Sequence, residues 1–169
     1  MADTLSIDIG TKHLAWARFG EDQKPNAGGV EDIDRATIRE SIEAALGLLA
    51  DRARLPKQVL IEQQPLRHAK MMAIMHGLFG AFRALGCDVA IVSPKVRAAE
   101  LLLPPDASYP QRKRAAVAAC DRLLGEAWRE WLRGAHKADD LAEALLQGLV
   151  WLRRNAPKRV LVLRREEAP

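Results

Sequence analysis

The alternation of apolar and polar residues predicts that the chain begins with a β-hairpin. Residues 5–10 form a mostly apolar run that ends in a turn, which is typical of a strand. Residues 13–19 alternate apolar and polar positions, as the second strand of a hairpin does. Residues 30–33 are interpreted as a third strand after a turn-like segment. We therefore expect a hairpin that a short third strand extends.

Helices and strands are predicted to alternate in the rest of the chain. Apolar residues recur at helical spacing in several segments. Short runs rich in Val and Ile lie between the first three of these segments. The predicted helices are 37–54, 70–85, 94–102, 111–132 and 137–152, and the predicted strands are 58–62 and 88–92. Hairpin strands followed by crossover helices favour an α/β fold, with a mixed central sheet and helices on both faces.

Length and composition fit one globular domain. The chain has 169 residues, of which 49% are hydrophobic and 28% charged, as is usual for such domains. We expect one domain over residues 1–155 and a C-terminal tail over 156–169 with a short strand at 159–163. No secretory signal or membrane-spanning run is recognised. We therefore expect a cytoplasmic protein without a membrane partner, and association with the nucleoid remains open.

Two cysteines and a Met-rich helix are further features of the sequence. Cys87 and Cys120 lack a metal-type spacing and are expected to be reduced, buried thiols. The Met-rich helix 70–85 offers an apolar face that could pair two copies of the chain or pack in the core. That face consists of Met71, Met72, Met75 and Leu78.

Basic residues are slightly in excess over acidic ones. The formal net charge is +4 and the sequence pI is about 9.3, which is compatible with a polyanionic partner. Several basic residues cluster after the predicted strands and at the start of the helix 111–132, where they could neutralise phosphates. The alternative for any one of them is scattered surface charge. The predicted DNA-binding residues are Arg67, Lys70, Lys95, Arg97, Arg112, Lys113 and Arg114.

Two carboxylates lie at or near the ends of predicted strands. Asp8 lies in an apolar strand just before Gly10, where an unpaired charge is costly. It is interpreted as a metal ligand or general base, although an Asp that caps the turn is the alternative. Glu62 ends the strand 58–62, where rigid metal sites are commonly built. A solvated strand end is the alternative for Glu62.

A third set of acids lies on the last predicted helix. His136, Asp139, Asp140 and Glu143 are spaced so that all four would share one helical face. Acids in a first helical turn are also favoured by the helix dipole alone, which is the alternative for Asp140 and Glu143. Stacked acids nevertheless repel one another unless a cation holds them.

Carboxylates from three segments together predict a centre for hard divalent cations. Oxygen ligands of this kind suit Mg²⁺ or Mn²⁺, and we expect two ions per site. Paired ions can activate water and stabilise a leaving oxygen in phosphodiester hydrolysis. The predicted catalytic residues are Asp8, Glu62, His136, Asp139 and Asp140, and the predicted metal ligands are Asp8, Glu62, Asp139, Asp140 and Glu143.

Four motifs in order resemble the RuvC-like Holliday junction resolvases. They are L-S-I-D-I-G-T-K-H-L-A-W-A, then L-I-E-Q-Q-P, then V-S-P-K-V-R-A-A-E-L with R-K-R-A-A-V, and finally H-K-A-D-D-L-A-E-A-L. The second motif is most similar to the poxvirus and fungal mitochondrial branch, and the last also resembles the bacterial branch. A viral or phage origin is therefore left open.

The resemblance implies several properties of the chain. They are an RNase H-like fold, a homodimer, divalent metal, and symmetric nicking of a four-way DNA junction. Asp8 is then the ligand on the first strand, and Glu62 lies between the two metal positions. His136 and Asp139 are the pair on the last helix, although many relatives carry Asp where this chain has His136.

Three other functions remain as alternatives. One is another RNase H-like nuclease that acts on flaps or RNA–DNA hybrids. Another is a module that binds branched DNA without cutting it. The D-I-G-T segment is also found in actin-like kinases, but the chain lacks room for their second lobe.

Overall fold

The computed structural model describes residues 3–51, 55–101 and 106–155 of the chain. Five strands and six helices lie in these ranges. The strands are β1 (Thr4–Ile9), β2 (His13–Phe19), β3 (Pro25–Asp32), β4 (Gln58–Glu62) and β5 (Asp88–Val92). The helices are α1 (Ile38–Asp51), α2 (Ala69–Ala84), α3 (Lys95–Leu101), α4 (Tyr109–Leu123), α5 (Glu126–Gly134) and α6 (Ala138–Asn155). The strand predicted at 159–163 lies outside the described residues.

The strands form one mixed sheet in the order β3-β2-β1-β4-β5. β1 pairs antiparallel with β2 and parallel with β4, so it is the central strand. β2 pairs antiparallel with β3, and β4 pairs parallel with β5. The predicted mixed sheet is therefore confirmed. β3 is longer than the third strand predicted at 30–33.

Helices cover both faces of the sheet, as predicted. On one face, α1 and α2 pack against alternate residues of β1, including Leu5, Ile7 and Ile9. On the other face, α6 packs against Ala15, Ala17 and Phe19 of β2, and α4 packs against α6. The period of two along a strand thus sends one set of β1 side chains to α1 and α2 and the other set towards α6.

One predicted helix is divided in the structure, and the Met-rich face takes one of its two predicted roles. The helix predicted at 111–132 is two helices, because Leu124 and Gly125 are extended and end α4 before α5 begins. Met75 and Leu78 of the Met-rich face are buried in the core, and Met71 and Met72 pack against it. Core packing, rather than an exposed pairing face, is therefore the role of this face in α2.

A glycine allows α6 to lie directly on the sheet. A Cβ atom added to Gly148 would lie 2.2 Å from Cε2 of Phe19, which is far inside van der Waals contact. The helix backbone therefore touches the ring of a fully buried residue of β2. This close approach fixes the height of α6 above β1 and β2.

We expect Gly148→Ala to destabilise the protein by about 1–3 kcal/mol, because an extra methyl group overpacks this contact. Gly47→Ala is the matched control, since nothing lies within 4 Å of the added Cβ atom there. That helix substitution should stabilise by about 0.5–1 kcal/mol. Urea unfolding of both variants tests this. Equal effects of the two substitutions would contradict the close packing of α6.

Candidate active site

The sheet register places Asp8 and Glu62 beside each other. β1 and β4 run parallel with Ser6 opposite Leu60 and Ile7 opposite Ile61, so the next residues along the two strands are Asp8 and Glu62. Both residues alternate with the side chains that face α1 and α2, and both therefore face α6. Their side chains are largely buried, and Asp8 is only 8% exposed.

Helix α6 brings further carboxylates to the same corner. Glu143 and Asp140 lie three residues apart on one side of the helix and line a cavity together with Asp8 and Glu62. The next turn carries Gln147, whose Nε2 donates to Ser6 Oγ and to the carbonyl oxygen of Ile7, both at 3.2 Å. This anchor ties the acidic turn of α6 to the strand that carries Asp8.

Two buried cations bridge the carboxylates. Nη2 of Arg97, from α3, donates to Glu62 Oε1 at 2.7 Å and to Glu143 Oε1 at 3.3 Å. Nζ of Lys113, from α4, donates to Asp140 and to Glu143. The cations therefore join α3 and α4 to the end of β4 and to α6.

The acids outnumber these two cations. Burial raises the pKa of Asp8 well above its usual range, and the charge of Glu62, together with a hydrogen bond between the two carboxyl groups, raises it further. Burial and the charge of Asp8 raise the pKa of Glu143, although Arg97 and Lys113 oppose the shift. The centre thus holds more negative charge than its own cations neutralise.

The pKa of each cation reflects the same imbalance. Burial alone would lower the pKa of Lys113, but its hydrogen bonds to Asp140 and Glu143 outweigh burial and raise it. Burial likewise opposes the charge on Arg97, while Glu62, Asp8 and Glu143 raise the pKa of its guanidinium. Both side chains therefore stay protonated at neutral pH.

The oxygen donor atoms and the net negative charge of the acid centre suit a hard divalent cation. Four carboxylates, those of Asp8, Glu62, Asp140 and Glu143, face the two fixed cations, so two negative charges remain when all are ionised. Among the described residues, no three His, Cys, Asp or Glu side chains converge closely enough to enclose an ion. Arg97 and Lys113 instead bridge the carboxylates of β4 and α6.

The acids line a cavity of about 680 Å³, which is large enough for a segment of a nucleic acid backbone. Its rim carries the first turn of the hairpin, the loop after Glu62, and the start of α4. The basic residues that line it are Lys12, Arg97, Arg112, Lys113 and Lys137. A polyanion could therefore approach the acids between positive groups.

His136 does not join the acids, contrary to the prediction. α6 begins at Ala138, and Lys137 before it has a φ of 58°, so His136 does not share the helical face of Asp139. His136 is exposed and lines a separate cavity with Trp131 and Gly29. The expected one-face arrangement of four residues is wrong for His136, because the helix starts two residues later.

Asp139 and Asp140 lie at the mouth of the cavity rather than at its centre. Asp139 is 4.0 Å from Nζ of Lys113 and its side chain is 44% exposed, whereas that of Asp140 is 23% exposed. Glu143, which the sequence offered only as an additional ligand, is the deepest acid of α6, with a side chain that is 12% exposed. The carboxylates closest to Asp8 and Glu62 thus come from the inner side of α6.

The predicted DNA-binding residues fall into three groups. Arg97 and Lys113 are buried within the acid centre, and only Arg112 of the others lines that cavity. Arg114 lies in a neighbouring cavity. Arg67, Lys70 and Lys95 lie outside both, and Lys70 pairs with Asp34 at 2.7 Å.

Two residues, Arg97 and Gln147, position the acids in a way that the sequence did not indicate, since Arg97 was predicted to bind DNA and Gln147 had no predicted role. Both are polar and buried. Arg97 was predicted to bind phosphates, because the pattern of α3 does not place it opposite Glu62. Gln147 falls among the apolar residues of α6, and that departure from the pattern was the available signal.

The sequence of the chain matches a known protein family. The family model described as "Poxvirus A22 protein" matches residues 4–155. The chain belongs to this poxvirus A22 family. No curated protein matches the chain significantly.

Solved structures of resolvases share the fold. The fowlpox virus resolvase, solved with Holliday junction DNA, is 20% identical with a TM-score of 0.69, over 92% of this chain and 99% of that one. Thermus thermophilus RuvC, solved with a Holliday junction substrate, is 18% identical with a TM-score of 0.61, over 91% of this chain and 96% of that one. The predicted RNase H-like fold is therefore confirmed.

We expect Asp8→Asn to stabilise the protein in metal-free buffer near neutral pH. Because the folded state raises the pKa of Asp8, ionised Asp8 destabilises the fold above the folded pKa, and this penalty vanishes below the unfolded pKa of about 3.9. The gain should be a few degrees in Tm, since about 1 kcal/mol shifts Tm by about 2–4 °C in a chain of this size. It should shrink as the pH falls.

Thermal unfolding from pH 8 to pH 4 measures this gain. Asp106→Asn, at an exposed carboxylate, is the matched control and should leave Tm nearly unchanged. A Tm that falls in the Asp8 variant at pH 8 would contradict the excess of negative charge.

Proposed function

We propose that this chain is a Holliday junction resolvase, an endonuclease that nicks four-way DNA junctions by metal-dependent hydrolysis. The observation that carries the proposal is the buried centre of Asp8, Glu62 and Glu143, which lies at the floor of a cavity with a basic rim. The family match supports it, and so does the fold shared with resolvases that were solved on junction DNA.

Each residue of the centre has a distinct role in this proposal. Asp8, Glu62, Glu143 and Asp140 would hold Mg²⁺ or Mn²⁺, and we expect two ions per site. Such ions would supply an activated water and stabilise the leaving 3′ oxygen. Arg97 orients Glu62 and Glu143 by binding one oxygen of each. Lys113, held by Asp140 and Glu143 in the cavity, would contact the cleaved phosphate.

The products and the geometry of the reaction follow from this assignment. Water attacks the junction phosphate and leaves a 5′ phosphate and a 3′ hydroxyl. Symmetric nicking of two strands needs two centres related by a two-fold axis, so we propose a homodimer.

Among the described helices, none has the length and apolarity to cross a membrane. We propose that the protein acts in the cytoplasm, where DNA is accessible and the buried thiols Cys87 and Cys120 stay reduced.

We expect the protein to nick a synthetic four-way junction in the presence of Mg²⁺ or Mn²⁺ and not in EDTA. An RNA–DNA hybrid, a flap and a linear duplex of matched sequence serve as competing substrates. Asp8→Asn should abolish nicking and leave junction affinity largely intact, because phosphates are bound mainly by Lys and Arg. Preferential cutting of the hybrid or flap would replace the proposal by another RNase H-like nuclease. Tight junction binding without any cutting would indicate a binding module.

Glu143→Gln and His136→Ala distinguish a centre that uses Glu143 from one that uses His136. We expect Glu143→Gln to lower the nicking rate on the order of 100- to 1000-fold, as is typical when a preorganised charged group is lost from a reacting centre. His136→Ala should keep nearly the wild-type rate in both metals, since His136 lies outside the acid cavity. The opposite pattern, with loss only in the His136 variant, would contradict the assignment of Glu143.

A further inference from the structure

The mouth of the acid cavity carries an exposed aromatic side chain. Tyr109, the single tyrosine of the chain, is the first residue of α4 and is 62% exposed. It lines the acid cavity beside Lys113, Asp140 and Glu143. A large ring at such exposure contributes little to the core, so its position is not explained by folding.

The ring is held directly against the acid centre. Nζ of Lys113 lies 5.5 Å from the centroid of the Tyr109 ring, within the range of a cation–π contact. The same ammonium pairs with Asp140 and Glu143. Tyr109 is therefore one contact away from the carboxylates, and it lines the same cavity as they do.

The surroundings of the ring combine apolar surface with positive charge. Tyr109 also lines a neighbouring cavity of about 440 Å³ together with Pro110, Val117 and Arg114. Arg112, one turn after Tyr109 on α4, and Lys137 also line the acid cavity. A flat apolar group attached to an anionic backbone is the chemistry that matches this combination.

We propose that Tyr109 is a stacking platform for a nucleobase adjacent to the phosphate at the acid centre. The inference rests on the proposed junction-cleaving function and names a binding residue within that site. Aromatic side chains accept any base, because every base has a π face, and Arg and Lys beside them bind the phosphates. Continuity with the acid cavity favours a base of the cleaved strand as the occupant.

Such a platform selects branched DNA over continuous duplex. In a continuous duplex, neighbouring bases cover both faces of each base, so stacking on protein first requires unstacking, which is unfavourable by a few kcal/mol. At the crossover of a junction the stack is interrupted and a base face is available. Tyr109 therefore contributes to junction affinity and not to duplex affinity.

The test uses 2-aminopurine placed next to the cleaved phosphate of a four-way junction. Full-length protein with Asp8→Asn keeps the junction intact, and Tyr109→Ala, Tyr109→Phe and Leu85→Ala are each added to it. Leu85 is an exposed apolar residue outside the cavities that Tyr109 lines, so it is the matched control. Affinities for junction and duplex, 2-aminopurine fluorescence and oligomeric state are measured for each protein.

We expect Tyr109→Ala to weaken junction binding by roughly 5- to 150-fold, which corresponds to about 1–3 kcal/mol for one stacked base. Duplex binding should change little. The 2-aminopurine should be quenched when bound to the Phe variant and bright when bound to the Ala variant, since the ring and not the hydroxyl group stacks. The Leu85 variant should behave as the parent does.

Four results would overturn the proposal. Two concern affinity: unchanged junction binding by the Ala variant, or an equal loss of junction and duplex affinity. The others are unchanged 2-aminopurine fluorescence in the Ala variant, and a change of oligomeric state that identifies the ring as a contact between subunits. If the protein with Asp8 intact never cuts junctions, the proposed function itself fails. If it cuts them but Tyr109→Ala binds like the parent, only the role of Tyr109 fails.

Discussion

A buried corner of the sheet holds more carboxylates than cations, and the surrounding elements keep these carboxylates together. Asp8 and Glu62 meet there because two parallel strands are in register, and Glu143 meets them because α6 crosses the same face. Arg97 and Lys113 compensate only part of that charge. Burial, and after it the charge of Glu62, raises the pKa of Asp8, which is an unfavourable arrangement for folding alone. Buried carboxyl groups with perturbed pKa values are typical of catalytic sites.

The fold holds this unfavourable cluster in place through contacts on three sides. Gln147 ties α6 to β1 one turn after Glu143, and Gly148 lets the helix lie against Phe19. α3 and α4 each contribute one cation. The carboxylates therefore belong to strands and helices that the apolar core holds in place. The carboxylates stay close to one another although their charges repel. A site on rigid elements keeps the precision that hydrolysis needs.

The sequence predicted the fold and the strand residues of the site better than the helical ones. Asp8 and Glu62 stood out because carboxylates in apolar strands are costly, and the sheet order confirms their proximity. The spacing rule failed at His136, because it assumes that the helix has already begun. The buried positions of Arg97 and Lys113 were not predictable, since a long basic side chain in a helix carries no sequence signal of what it faces.

The most direct test of this account is the binding of Mn²⁺ to the DNA-free protein, measured by calorimetry and electron paramagnetic resonance. The account predicts saturable binding by the wild type, and binding weakened at least about tenfold in Glu62→Gln, because hard cations need the carboxylate charge. Asp22→Asn, which removes a carboxylate from the turn between β2 and β3, should bind as the wild type does. Absence of saturable binding in the wild type, or equal binding by all three proteins, would contradict a metal centre built on the uncompensated charge.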